Sequence, residues 1–422
     1  MYGKLRTSFA EVGNDTNPYN LIPYYELSQN NTYNGYKFAS LPGTLPKVDL
    51  KPERTRSFEI GADLRFLNGR INADITYYKK NSFDQILSAS MASSSGYQNK
   101  VFNGGEIENK GWEIMLNARP VETKDFSWGI DLNYTQNESM VKSIIGNSEL
   151  QIGEIFSLQN RVVAGLPYGS MFGTVWLTDQ QGRRMVNSTN GEPIRKENTY
   201  LGNFNPDFML SLTNHFRWHA FDLYVLVDMK KGGKLYSGTR RQAIRNGVIS
   251  GLESAHESYW KRSVIFGDGG DYQWGGVQFN QNGTTPITNQ NIYYYDPTQY
   301  DNVLNMNPKD PNYVPTKSDL YFWPGNVGYY ADGFDNLVIY DASFIKLREV
   351  SIGYSFPKKL IAKVKMSNAH ISFVGRNLWI LYQKTPKGLD PEAALNAGNG
   401  QGLESGSLPP STTFGLDLKI AF

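Results

Sequence analysis

"RSFEIGADLRFLNGRINADITYY" runs from Arg56 to Tyr78, and its side chains alternate with period two on both sides of a turn. Phe58, Ile60, Ala62, Leu64 and Phe66 share one face, and Ser57, Glu59, Gly61, Asp63 and Arg65 share the other. Successive side chains of a β-strand point to opposite faces, so this spacing predicts a strand with one apolar and one polar side. Asn68-Gly69 follows, a pair suited to a two-residue hairpin because both central residues must take positive φ. The next strand repeats the scheme, with Ile71, Ala73, Ile75 and Tyr77 against Asn72, Asp74, Thr76 and Tyr78.

The pattern recurs along the chain. A second hairpin is expected between "GWEIMLNA" and "FSWGIDLNYT" across Pro120 to Asp125, and a third between Phe208 to Arg217 and Phe221 to Asp228 across Trp218-His219. A fourth joins Phe344 to Phe356 with Ala369 to Ile380 after Pro357, with a bulge where the apolar phase slips between Leu347 and Val350. Lys4 to Val12 and the last dozen residues, "STTFGLDLKIAF", complete about ten strands, and about two more are expected within Asn137 to Asn205. The intervening connections are long: Gly13 to Pro52, Asn81 to Glu106, Asn137 to Asn205, Gly232 to Asp341 and Leu381 to Pro410. Short turns at one end and long loops at the other describe an all-β, antiparallel, up-and-down transmembrane barrel, with periplasmic turns and extracellular loops.

Composition agrees. Of 422 residues, 14% are aromatic, yet the mean hydropathy is −0.47, which suits alternating wet and apolar faces. No run approaches the ~18 apolar residues of a spanning helix. Lys plus Arg total 42 against 40 Asp plus Glu, so the chain offers no basic field for nucleic acid. Without cysteine there is no disulfide framework and no thiolate site. Aromatics gather at strand ends (Trp112, Phe126, Trp128, Phe208, Trp218, Tyr354, Phe356, Trp379, Phe422) and aliphatics hold the middles, the distribution of interfacial girdles around a lipid band. The polar faces carry charge at Glu59, Asp63, Arg65, Asp74, Glu113, Arg119, Asp131, Asp417 and Lys419, as a hydrated lumen allows.

In the last strand Phe414, Leu416, Leu418, Ile420 and Phe422 fall on the apolar face. Lipid would cover that face in a barrel, whereas a β-sandwich would need a partner sheet there. These five residues are the expected assembly signal for insertion into the outer membrane.

Several stretches resemble SusC/RagA-type TonB-dependent outer-membrane transporters, in their carboxyl-terminal part. They are "LKPERTRSFEIGADLRFLNGRINADITYYKKNSFDQIL" (Leu50 to Leu87), "GGEIENKGWEIMLNARP" (Gly104 to Pro120), "YDASFIKLREVSIGYSFPKKL" (Tyr340 to Leu360), "ISFVGRNLWIL" (Ile371 to Leu381) and "GLDPE" (Gly388 to Glu392). The resemblance implies that residues 1–422 form the carboxyl-terminal part of a barrel of about 22 strands in a Bacteroidetes-like bacterial outer membrane. It also implies an amino-terminal plug and TonB-contacting segment outside this chain, energy coupling through the TonB complex, and a SusD-like lipoprotein as lid.

Catalytic chemistry is not indicated. His215 and His219 are separated by the turn expected at Trp218-His219, so a metal site and a cofactor are not expected. "GNGQG" (Gly398 to Gly402) lacks the strand and helix of a phosphate loop and reads as flexible loop. "DGGD" (Asp268 to Asp271) is weak calcium evidence. The connection from Gly251 to Asn336 is crowded with rings; Tyr259, Trp260, Tyr272, Trp274, Tyr293, Tyr294, Tyr295 and Trp323 are candidates to contact solute or lid, or to form a local core. The favoured reading is TonB-dependent import of oligosaccharides or peptides. A soluble carbohydrate-binding β-protein and a passive porin are the alternatives.

Overall fold

The computed structural model describes residues 1–16, 21–22, 24–90, 92–144, 149–176, 185–186, 195–245, 271–273, 277–278, 315–317, 334–396 and 398–422. Ten strands form one antiparallel sheet in which each pairs with its neighbours in sequence. They are β1 (Tyr2–Asn14), β2 (Glu53–Phe66), β3 (Ile71–Phe83), β4 (Glu106–Glu122), β5 (Phe126–Ser143), β6 (Pro206–Trp218), β7 (Phe221–Gly232), β8 (Phe344–Ser355), β9 (Asn368–Gln383) and β10 (Thr413–Ala421). The expected count and connectivity hold, and β1 and β10 are the sheet's two edges.

Several boundaries move for local reasons. Asn68 (φ 54) and Gly69 (φ 84) take positive φ, and the Arg70 N–H donates to the Leu67 carbonyl, as a type I′ turn requires. Leu67 is also left-handed (φ 49), so the ladder closes at Phe66 and Ile71 and the loop has four residues rather than two. The second turn shrinks to Thr123–Asp125, because Pro120 is absorbed at a β4 irregularity where Trp128 pairs with Val121 and Ile130 with Ala118. In the third turn Trp218 pairs with Phe221, so the corner is His219-Ala220, with His219 at φ 53. The fourth carries short helical turns over Lys358–Ile361 and Ala362–Val364. The bulge lies at Arg348: Glu349 faces Leu226 and Leu347 faces Val227, so Arg348 has no opposite residue.

Register places the apolar positions on one face of the wall. Along β2 the band from Phe58 to Phe66 covers eight residue steps, about 27 Å of strand and roughly 20 Å of membrane normal at a tilt of ~40°. At the short-turn end the band closes on rings in contact: Trp218 with Phe221, Phe221 with Tyr354, and Tyr354 with Phe356. Nothing in the described structure covers this face; Leu416 is 75% exposed and Phe414 66%. A face so apolar and so bare is the one lipid covers.

The buried core sits in the long connections instead. Between β5 and β6 four strands, Glu149–Ile155, Leu158–Val163, Ser170–Trp176 and Arg195–Asn203, form a sheet of their own where about two were expected. Lys234–Ser237, Ile339–Asp341 and Leu403–Glu404 form another, joining the connection after β7 to the one after β9. Leu158, Met171, Phe204, Tyr236, Val338 and Leu403 pack between them as a single buried cluster. "GNGQG" is a folded part of this assembly: the Asn160 amide donates to the Asn399 and Gln401 carbonyls, and Asn396 Oδ1 accepts from the Gly398 and Gly400 N–H groups.

On the opposite, polar face of the wall, glycines let side chains cross a strand. A Cβ on Gly61 of β2 would lie 2.7 Å from Arg6 Nε, because the Arg6 guanidinium of β1 passes over it to reach Asp74 of β3 at 2.7 Å and Thr76 at 2.6 Å. Gly111, within the "NKGWE" stretch, is roofed by Tyr78, whose hydroxyl donates to Asn137 two strands away. A Cβ there would also stand 2.0 Å from the Gln136 carbonyl oxygen, where no rotamer change relieves it. Gly111→Ala is therefore expected to destabilise the wall by about 1–3 kcal/mol, read as loss of heat-modifiable barrel on gels of membrane fractions. Gly415→Ala, with open space at its Cβ, serves as the neutral comparison.

Candidate functional site

The polar face is a continuous hydrogen-bonded surface. Besides Arg6 and Asp74, Lys80 pairs with Glu59 at 3.4 Å and Arg376 with Glu349 at 2.8 Å. His215 Nε2 lies 2.8 Å from Asp131, while His219 sits in its turn 3.5 Å from Asp125, so the two histidines serve different carboxylates. Toward the short turns Arg70, Asn72, Asn117, Arg119, Glu122, Asp131, His215 and Arg217 line a polar hollow of about 600 Å³. Of the charges expected on this face, Arg119 and Asp131 meet here, and Asp417 pairs along its own strand with Lys419.

Toward the long loops the bulge builds a buried ionic cluster. Lys346 Nζ reaches Asp390 Oδ1 at 2.7 Å and Oδ2 at 2.9 Å, and Glu392 Oε2 at 2.6 Å. Arg348 donates to Asp228 of β7 at 2.6 Å and to Glu392. Lys346 is 5% exposed and Asp390 8%, so these charges are held away from water and depend on one another. Burial pushes the Glu392 carboxyl up, but Arg348 and Lys346 outweigh it and the group lies below its ordinary value. The cluster latches "GLDPE" to the wall. Its signal in the sequence was the phase slip at Leu347 to Val350, which marked the bulge without its partners.

The long connections are cross-linked by a second set of buried polar groups. Glu404, 1% exposed, accepts from Ser237 and Thr239. Asp335, equally buried, accepts from Ser157 at 2.7 Å and from the Thr174 N–H at 2.7 Å, and Arg241 stands 3.9 Å away. Burial raises the Asp335 pKa, while the Thr174 and Ser157 hydrogen bonds and the Arg241 charge act against that rise. Three loops distant in sequence thus meet over one end of the wall.

Of the aromatic residues singled out in the sequence, Tyr259, Trp260, Trp274, Tyr293, Tyr294, Tyr295 and Trp323 lie outside the described residues, as do Asp268 to Gly270 of "DGGD". Tyr272 falls in the short strand Asp271–Gln273, paired with Pro315–Lys317, and its side chain lies outside the described set. Phe414, Leu416, Leu418 and Ile420 share the apolar face of β10, and Phe422 directly follows it, 85% exposed.

A family model described as TonB dependent receptor-like, beta-barrel matches residues 3–154. TonB-dependent receptor P3 of Formosa agariphila is 22% identical over 99% of this chain and 39% of its own length. TonB-dependent receptor SusC of Bacteroides thetaiotaomicron is 25% identical over 99% of this chain and 37% of its own. Residues 3–154 thus carry the TonB-dependent receptor β-barrel pattern, and the whole chain is similar to receptors of the SusC type. The RagAB peptide importer in its closed-closed state superposes on the whole chain and 41% of its own, with a TM-score of 0.68 at 17% identity, so the fold is shared well beyond the family-model match. The chain spans about two fifths of the length of these relatives. The soluble-protein alternative is thereby set aside.

In this wall the latch has a measurable strength. Lys346→Met would leave Asp390 buried without its cation, at a cost of about 3–5 kcal/mol. The expected outcome is faster hydrogen exchange and protease cleavage within 384–412, with the barrel itself retained. Because Glu392 is depressed, its contribution is present above the ordinary carboxylate range and is lost as pH falls through the folded-state value. Exchange in this loop should therefore be flat from neutral to mildly acidic pH and rise only below the ordinary glutamate range.

Proposed function

We propose that residues 1–422 supply the carboxyl-terminal part of the barrel of a TonB-dependent importer for oligosaccharides or peptides, working with a SusD-like surface lipoprotein as lid. The observation that carries this reading is the pairing of a polar, charge-lined wall with a folded assembly of loops at one end. A passive channel needs only the wall. Energy coupling through TonB would act on a plug outside this chain. The likeness to the TonB-dependent receptor SusC supports the TonB-dependent class, and the likeness in fold to the RagAB peptide importer is compatible with a peptide solute.

Uptake of labelled oligosaccharide or peptide by cells carrying the complete receptor should disappear when TonB is deleted. Uptake that persists without TonB would mean a passive pore. Rings in the connection from Gly251 to Asn336 are the proposed contacts to solute and lid, since the described wall offers charges and amides but few rings. Trp260→Ala, Trp274→Ala or Trp323→Ala should weaken uptake or lid association about tenfold for at least one of the three, as loss of a stacking contact of ~1–3 kcal/mol would. Normal uptake by all three would make the rings a local core.

The apolar face formed by Phe414, Leu416, Leu418, Ile420 and Phe422 is proposed to be read during insertion, as the edge strand presented when the barrel closes. Deleting Phe422 in the complete receptor should lower its level in the outer membrane; unchanged level and heat-modifiability would refute this role.

A further inference from the structure

On the lipid-facing side the wall changes from rings to charge in one alternation step on four neighbouring strands. Phe9 is followed on its face by Glu11, Phe58 by Arg56, Tyr77 by Lys79 and Trp112 by Lys110. Tyr77 and Trp112 are in ring contact at 5.1 Å and mark the outer limit of the apolar band. Directly beyond them Lys79 and Lys110 stand opposite each other in register on the same face. Like charges in directly opposed positions destabilise a sheet, so this pair breaks a local rule of strand pairing.

The surrounding groups hold the ammonium groups in place. Glu108, 8% exposed, receives Lys79 Nζ on one carboxylate oxygen and Lys142 Nζ on the other, each at 2.9 Å. Glu138 receives Lys110 at 3.2 Å. Glu106, one alternation step further out, is hydrogen-bonded by Asn81. Three lysines thus stand with three carboxylates, Glu106, Glu108 and Glu138, and each ammonium has three donors with one carboxylate in salt-bridge contact. Their side chains remain 40–47% exposed, aimed outward at the level where lipid headgroups begin.

We propose that Lys79, Lys110 and Lys142 form a binding site for the phosphate groups of an outer-leaflet membrane lipid, with Glu108 as the positioning residue that spreads Lys79 and Lys142. The lipid's acyl chains lie against Tyr77, Trp112 and Ile75, and its phosphate relieves the repulsion between the opposed lysines. The ligand is lipid, not free anion, because the site borders the apolar band on one side only.

Native mass spectrometry of the complete, detergent-purified receptor with diphosphorylated lipid A tests this. Lys79→Gln with Lys110→Gln should weaken lipid binding about tenfold or more, and Lys79→Arg with Lys110→Arg should restore it. The parent should bind dephosphorylated lipid as weakly as the glutamine variant does, and millimolar inorganic phosphate should not displace the lipid. Equal binding by parent and glutamine variant, equal binding of dephosphorylated lipid, or displacement by inorganic phosphate overturns the proposal. If the double variant fails to assemble, Lys142→Gln alone gives the same reading, since it touches neither opposed lysine; retention of full binding by it overturns the proposal equally.

Discussion

Every backbone N–H and C=O that crosses a bilayer must find its partner within the protein, and a closed barrel of paired strands is one of the two arrangements that achieve this. The ten-strand sheet meets the constraint for its eight inner strands by pairing each with both sequence neighbours, while β1 and β10 are each paired on one side, and the rest of the structure adjusts to it. Once pairing is fixed, side chains alternate between lipid and lumen except at a bulge such as Arg348, so elsewhere a strand can change its surface chemistry only by changing residue type. The abrupt switch from Tyr77 to Lys79 and from Trp112 to Lys110 is that rule in operation.

Pairing also limits how far side chains on one face can interact, since neighbouring strands lie ~4.8 Å apart. The wall extends that reach by removing side chains between partners. With Gly61 under its path, Arg6 of β1 reaches Asp74 of β3, and with Gly111 beneath it Tyr78 reaches Asn137 of β5. Three strands are thus tied together on the lumen side in addition to their backbone ladders. The polar face becomes a bracing layer, which a sheet lacking a second sheet behind it would otherwise lack.

The wall was legible in the sequence because its signal is local. Period-two alternation in Phe58 to Phe66 and a turn pair such as Asn68-Gly69 need only neighbours to be read, and Leu67 escaped only because a leucine at positive φ has no sequence signature. The loop assembly was not legible, since its contacts join residues far apart: Lys346 to Asp390, Ser157 to Asp335, Thr239 to Glu404. "GNGQG" read as flexible because glycine content describes what a segment is free to do when alone. Asn160, more than 230 residues away, determines what it does here. The bulge at Arg348 fell between these cases, visible as a lost phase while its partners stayed hidden.

The distribution of buried side chains then fixes which part of the receptor can move. Leu158, Met171, Tyr236, Val338 and Leu403 are buried together in one cluster, so the connections after β5, β7 and β9 cannot shift independently without opening it. Their attachment to the wall is of another kind, made through Lys346, Arg348, Asp390 and Glu392, whose strength depends on exclusion of water from a few charges. An apolar core resists small displacement in any direction, whereas a buried ion cluster loses its compensation as soon as one partner is hydrated. Any rearrangement of the loop end is therefore expected to proceed by releasing the bulge and moving the packed loops as one body.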